Sequence, residues 1–504
     1  MRTRLVPSLI LFLSAALTVR AHVGSPDVFY EGNAGPYHLF VTVRMPQVIP
    51  GVAEIRVRSE SMDIRAVQIV PLRLTGPGSN LPPIPDFAQQ SKEDPQFFTG
   101  NLWLMESGAL QVRITADGAK GKGELSVPVP AFAQRTLPMQ KSLKAILIFP
   151  LLFLAIGLIF IAGAAVREGN LEPGEKPEPQ KIRRARIVMV ITAVVVAGIL
   201  YLGRAWWGVE ANNYQRDINF FKPPIAETTL ENGNRLVIRA KAPDQNLPKY
   251  SRLEELVPKM EGLVPDHGHL MHLFLISLPG MDRMWHLHPA RISGDAFAED
   301  LPTMPAGRYQ VFADIVDQNG FPWTLAGTVD LPQINGKPLA GDDSSWSGAP
   351  FPPAAAANSA VSKFSDGGQM VWHHASAPLK ANVAMNFKFS VEDKDGKPVQ
   401  DLQPYMGMAG HAEFVRSDLS VFAHVHPAGS VSMAALELAQ SGLTNSSPAM
   451  PGGMGMPMSS APLPPEVSFP YGFPQPGEYR IFVQVKLGGR AGRVETGVFD
   501  AHVR

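Results

Sequence analysis

The chain has 504 residues, room for about three domains. Its 45 basic and 45 acidic residues cancel, which argues against nucleic acid or a strongly acidic partner. The absence of Cys removes disulfides, zinc–thiolate sites and cysteine nucleophiles together, so any metal site must use His, Met, Asp, Glu or the backbone.

In chain order, "MRTRLVPSLILFLSAALTVRA" (1–21) sets Arg2 and Arg4 before an apolar run and small residues at its end, the pattern of a secretory signal peptide, expected to be cleaved, with an uncleaved anchor helix as the alternative. Cleavage after Ala21 makes His22 the new N-terminus, where the free α-amine and the imidazole can clamp copper, with Asp27 and His38 near in sequence. Residues 22–138 then alternate apolar and polar at period two in "HLFVTVRM" (38–45), "AEIRVRS" (53–59), "AVQIVPLRL" (66–74), "ALQVRITAD" (109–117) and "GELSVPV" (123–129). Short strands separated by Gly and Pro turns predict an immunoglobulin-like β-sandwich.

Two uncharged runs follow, 145–166 and 187–203, the first long enough to cross a hydrocarbon core of about 30 Å and the second shorter, with Tyr201, Trp206 and Trp207 as an interfacial aromatic belt at its end. The loop between them, 167–186, carries Arg167, Lys176, Lys181, Arg183, Arg184 and Arg186. That basic excess predicts a cytoplasmic loop, which puts 22–142 and 204–504 on the extracytoplasmic (periplasmic) side of the cell membrane.

The remainder reads as two echoing units, 219–339 and 366–504, joined by a Pro/Ala/Ser-rich linker at 340–365. "RLVIRAKAP" (235–243), "HGHLMHLFLIS" (267–277), "MWHLHPA" (284–290) and "PAGRYQVFADIVD" (305–317) are answered by "VAMNFKFSVED" (383–393), "GMAGHAEFVRS" (407–417), "FAHVHPAG" (422–429) and "QPGEYRIFVQVK" (475–486). The expected fold is mainly β: immunoglobulin-like β-sandwich domains plus two transmembrane helices.

Each unit carries a His-x-His-Pro. Residues i and i+2 of a strand share a face, so His286 pairs with His288 and His424 with His426. An upstream His, His272 or His411, begins the neighbouring strand, so three imidazoles can converge in each unit. Of 20 Met, 14 fall between 260 and 458, with Met406 and Met408 beside the second cluster. Thioethers suit Cu(I) and imidazoles Cu(II), so copper is the expected metal. Met also fills irregular cores and His sits on edge strands without metal, so a structural reading stays open. Gly280-x5-His286-x-His288 matches the front half of a cupin signature, but Pro289, Ala290, Arg291 and Ile292 stand where its acidic residue belongs. The Trp372-His373-His374 run reads as a linker-to-strand junction.

"DGKPVQDLQPYMGMAGHAEFVRSDLSVFAHVHP" (395–427) and "PGEYRIFVQVKLGGRAGRVETGVF" (476–499) resemble the YtkA-like domain of bacterial extracytoplasmic proteins, related to the FixH and CopC-like groups. "HLMHLFLISLPGMDRMWHLHP" (269–289) resembles it less closely. The resemblance implies immunoglobulin-type sandwiches in metal-handling company. The function expected is a membrane-anchored, non-catalytic transition-metal binder or sensor. His411, His424 and His426 would form one site with Met406 or Met408, and His272, His286 and His288 its paired copy. The rival is a β-sandwich module that binds an envelope protein without metal; a cupin-like metalloenzyme comes last.

Overall fold

A computed structural model describes residues 25–172, 174–241, 262–294, 296–352, 360–373, 378–441, 463–488 and 492–504. The signal-peptide segment, His22, His374 and the Met-rich stretch 450–458 lie outside the described residues. The molecule is mainly β, 47% strand and 19% helical. Its described residues divide into two compact units: a β unit of 25–45, 52–131 and those from 223 on, and a helical unit of 46–51 and 132–222.

The β unit begins with β1 (Val28–Ala34), β2 (Tyr37–Arg44), β3 (Gly51–Ser59), β4 (Ile64–Arg73), β5 (Asp86–Gln90), β6 (Phe97–Leu104), β7 (Gly108–Gly118) and β8 (Gly121–Ala131). They run in the order β1-β2-β3-β6-β5-β4-β7-β8. In β3 every second residue, Ala53, Ile55 and Val57 among them, is fully buried, the signature of a strand with one face on a core. The five predicted strands are β2, β3, β4, β7 and β8. β1, β5 and β6 went unread: β5 is exposed at four of its five positions, and Gly32 and Gly100 break the pattern in the other two.

In the helical unit, α1 (Lys141–Glu168) and α2 (Pro179–Phe220) contain the two apolar runs. At 1.5 Å per residue the 28 residues of α1 reach about 42 Å, enough to cross a bilayer core, and the 42 residues of α2 exceed it. α2 starts eight residues before the predicted span, so much of the basic stretch is helical and the connection shrinks to 169–178. The helices pack closely at Gly163, where an added Cβ would lie 2.5 Å from the Met189 side chain.

The first repeat has β9 (Ile225–Glu231), β10 (Arg235–Lys241), β11 (Leu263–Val264), β12 (His272–Leu278), β13 (Arg283–Leu287), β14 (Ala290–Ser293), β15 (Ala296–Asp300), β16 (Gly307–Asp317), β17 (Pro322–Leu331) and β18 (Ser344–Ser347). The second has β19 (Val361–Lys363), β20 (Gln369–His373), β21 (Met385–Glu392), β22 (Leu402–Gln403), β23 (His411–Arg416), β24 (Phe422–Val425), α3 (Met433–Ser441), β25 (Glu466–Tyr471), β26 (Gly477–Leu487) and β27 (Arg493–Val503). Its strands form two sheets, β19-β20-β21-β25 and β22-β26-β23-β24 with β27 on β26, over one apolar core that includes Phe387, Phe389, Phe414 and Phe469. These sandwich-like sheets fit the immunoglobulin-like reading. The stretch read as a linker is partly ordered: β18 pairs with β13, Arg283 opposite Ser347 and His286 opposite Ser344.

The duplication is visible in the register. β12 pairs with β16 so that His272 faces Asp314, and β23 pairs with β26 so that His411 faces Gln484. β13 sets His286 beside Phe274, and β24 sets His424 beside Glu413. The two repeats meet on these faces. Phe274, Ile276, Met281, Met284 and Phe312 of the first bury against Val415, Phe422 and Phe482 of the second, with the Phe312 and Phe422 rings stacked at 4.2 Å. Next to this apolar patch lie the histidines.

Candidate metal centre

Strand alternation places His286 and His288 on one face, and β12 starts at His272 beside them. These three offer ring nitrogens within 4.8 Å of one another. In the second repeat the ring centroids of His411, His424 and His426 lie 4.6–5.4 Å apart. The three-nitrogen set there, however, is His267, His411 and His426, also within 4.8 Å. His267 comes from the first repeat, so this set straddles the interface. The rings of His272 and His424 are 5.4 Å apart, which joins both sets into one continuous cluster. His269 stacks on His288 at 3.9 Å.

Hydrogen bonding decides which nitrogen of each ring is free. A carbonyl or carboxylate only accepts, so the nitrogen facing it carries the proton. His272 Nε2 donates to the Asp266 carbonyl (3.1 Å), His286 Nδ1 to Gln484 Oε1 (2.9 Å) and His288 Nδ1 to Asp343 Oδ1 (2.9 Å). The remaining nitrogens, His272 Nδ1, His286 Nε2 and His288 Nε2, are then lone pairs, and the first two face each other at 3.1 Å. His426 Nδ1 donates to the Val431 carbonyl (2.9 Å), and its Nε2 faces His267 Nε2 at 3.2 Å. His267 is itself hydrogen-bonded to the Met406 backbone. Among the described residues, His288 Nε2, His424 Nε2 and both nitrogens of His411 are buried with no hydrogen-bond partner.

Lone pairs facing each other repel unless a cation lies between them. Two nitrogens held at about 2.0–2.1 Å from one tetrahedral ion are about 3.3 Å apart, close to both observed spacings. In His272, His286, His288 and His426 the free nitrogen is backed by an acceptor on the opposite side of the ring, which fixes tautomer and orientation. Two of these supports cross the interface reciprocally: Gln484 of the second repeat meets His286, and Asp314 of the first meets His424 Nδ1 at 3.3 Å. Protonation is a poor alternative to metal. Burial, then neighbouring imidazoles, holds His272, His411 and His424 well below the ordinary imidazole range; burial and then His288 do the same to His286. His267 is pushed down to about 4 by burial and by His426. Burial raises Asp314 to about 7, and burial with Asp314 nearby raises Glu413 well above its usual range.

The predicted residues divide as follows. His272, His286 and His288 come together as expected. His411 and His426 converge with His267 rather than with His424 alone, while His424 leans on Asp314 between the two sets. Met406 is buried in the turn before β23, and Met408 closes that turn through Tyr405, whose N–H donates to the Met408 carbonyl (2.7 Å). Asp27 accepts the Met45 N–H, and His38 is engaged by Glu31 and Asn33. Sequence reasoning missed His267 as a member of the cluster across the interface, and Asp314, Asp343 and Gln484 as the groups that back its rings. The available signal was the His-Gly-His turn one hairpin upstream, since Asp314 and Gln484 sit cross-strand from His272 and His411.

Residues 363–504 match the model of a domain of unknown function, DUF8832. Among curated proteins none matches the chain. Several solved structures are distantly similar. SGBP-B from a complex xyloglucan utilization locus in Bacteroides uniformis is 8% identical over 94% of this chain and 98% of its own, with a TM-score of 0.17. A putative membrane anchored protein from Corynebacterium diphtheriae is 9% identical over 94% of each chain, with a TM-score of 0.14. An engineered protein is 17% identical, but the match spans 18% of this chain and 19% of that one, at a TM-score of 0.15.

Proposed function

We propose that this chain is a membrane-anchored protein that binds transition-metal ions, copper foremost, in the histidine cluster between its two repeats, without catalysis. The carrying observation is the pair of close imidazole contacts, His272 Nδ1 to His286 Nε2 at 3.1 Å, where both nitrogens are lone pairs, and His267 Nε2 to His426 Nε2 at 3.2 Å. Imidazole-rich, Cys-free ligand sets suit copper, nickel and zinc, and the Met content near the cluster favours copper. The YtkA-like resemblance supports the same reading. The six basic residues between and beside the two apolar runs favour a cytoplasmic connection, which puts the cluster on the extracytoplasmic side.

A competition titration of the detergent-solubilised full chain with Cu(II) against a chromophoric chelator tests this. Affinity tighter than about 1 μM that collapses in a His272→Ala/His286→Ala/His267→Ala/His426→Ala variant supports it. Weak binding that is unchanged in the variant leaves the cluster as a buried polar seam of a structural module.

A further inference from the structure

The repeats carry matching turns ahead of their site strands. Asp266 and His269 bridge the first turn, Tyr405 and Met408 the second. His267 precedes His272 by the same five positions that separate Met406 from His411. Both adopt left-handed backbone, φ 52° and 49°, and each is followed by a glycine at φ 84° or 81°. The turns are therefore one structural device, written His-Gly-His in the first repeat and Met-Gly-Met in the second.

In the first repeat this device sends the His267 ring across the interface, 5.1 Å from His411 and 4.8 Å from His426. The interface contacts are reciprocal, as Gln484 on His286 and Asp314 on His424 demonstrate. The reciprocal of His267 is Met406, and the reciprocals of His411 and His426 are His272 and His288. A second asymmetry points the same way. Glu413 occupies the position of Phe274, on the face of β23 that carries His411 and opposite His424. It is fully buried, and among the described residues neither carboxylate oxygen has a hydrogen-bond partner from another residue.

Resting on the metal reading above, we infer that the cluster holds two ions of unlike hardness. A soft cation such as Cu(I) sits with His272, His286 and His288, completed by the Met406 thioether from the other repeat. A harder cation such as Cu(II) or Zn(II) sits with His411, His424 and His426, completed by His267 and the Glu413 carboxylate. Thioether selects the first kind of ion, and carboxylate the second.

X-ray absorption at the copper edge, on the full chain loaded with one equivalent of Cu(I), tests the assignment. The expected first shell contains nitrogen and one sulfur at about 2.3 Å, comparable to other metal–sulfur bonds. The sulfur is lost in Met406→Leu, and in Met406→His it is replaced by an imidazole. Paramagnetic resonance of the Cu(II)-loaded chain is expected to change in Glu413→Gln. A Cu(I) shell of nitrogen alone, or a sulfur that survives Met406→Leu, overturns the inference while leaving metal binding intact. Failure of the wild-type chain to retain any copper overturns the metal reading and this one with it.

Discussion

His267 of the first repeat and His426 of the second face each other across the domain interface with their Nε2 atoms 3.2 Å apart. The set formed with His411 cannot exist in either repeat alone. The His267→Ala variant of the full chain is therefore expected to lose metal-dependent stabilisation. A ligand at a hundred times its Kd adds about 2.7 kcal/mol to a folded protein. Thermal unfolding with and without copper should give a smaller Tm rise in His267→Ala than in the wild type.

Gln484 orients His286 from the opposite repeat while donating to Ser344 through its amide. Support of this kind is worth about 10–100-fold in metal affinity. Gln484→Ala should weaken copper binding by that factor in a competition titration and leave the far-ultraviolet circular dichroism spectrum unchanged.

The interface also has an apolar half. Phe422, stacked on Phe312, is 1% exposed. Its truncation leaves a cavity, and Phe422→Ala is expected to cost about 3–5 kcal/mol in denaturant unfolding of the metal-free chain.

Acid should affect binding later than an ordinary imidazole would predict. His267 is held down to about 4, and His411 well below the usual value, both chiefly by burial. Copper affinity is thus expected to stay nearly flat from pH 7 to 5 and fall towards pH 4. The stability of the metal-free chain has a definite sign here. His267 binds fewer protons folded than unfolded between its native value of about 4 and the ordinary imidazole value of 6.5, so its contribution is lost as pH falls through that window. His267→Gln should remove that part of the slope in pH-dependent unfolding.

Much of this was legible in the sequence. Period-two alternation located strands with one buried face, such as β3 and β7, and the uncharged runs located the helices. The His-x-His-Pro copies gave two triads because i and i+2 share a face and a hairpin brings the upstream His alongside. What was not legible was the exchange between domains. His267 reads as a turn residue because its partners, His411 and His426, are more than 140 positions away, and only the packing of one repeat on the other brings them together. Asp343 lay in a stretch whose Pro, Ala and Ser content reads as linker, although β18, which follows it directly, is anchored to β13.

Anomalous diffraction at the copper edge, on crystals of the copper-loaded protein, tests the central claim most directly. The account predicts density between His267 Nε2 and His426 Nε2 and between His272 Nδ1 and His286 Nε2, each peak about 2 Å from its nitrogens. Density confined to the surface, with both nitrogen pairs still in direct contact at about 3.1–3.2 Å, would contradict it.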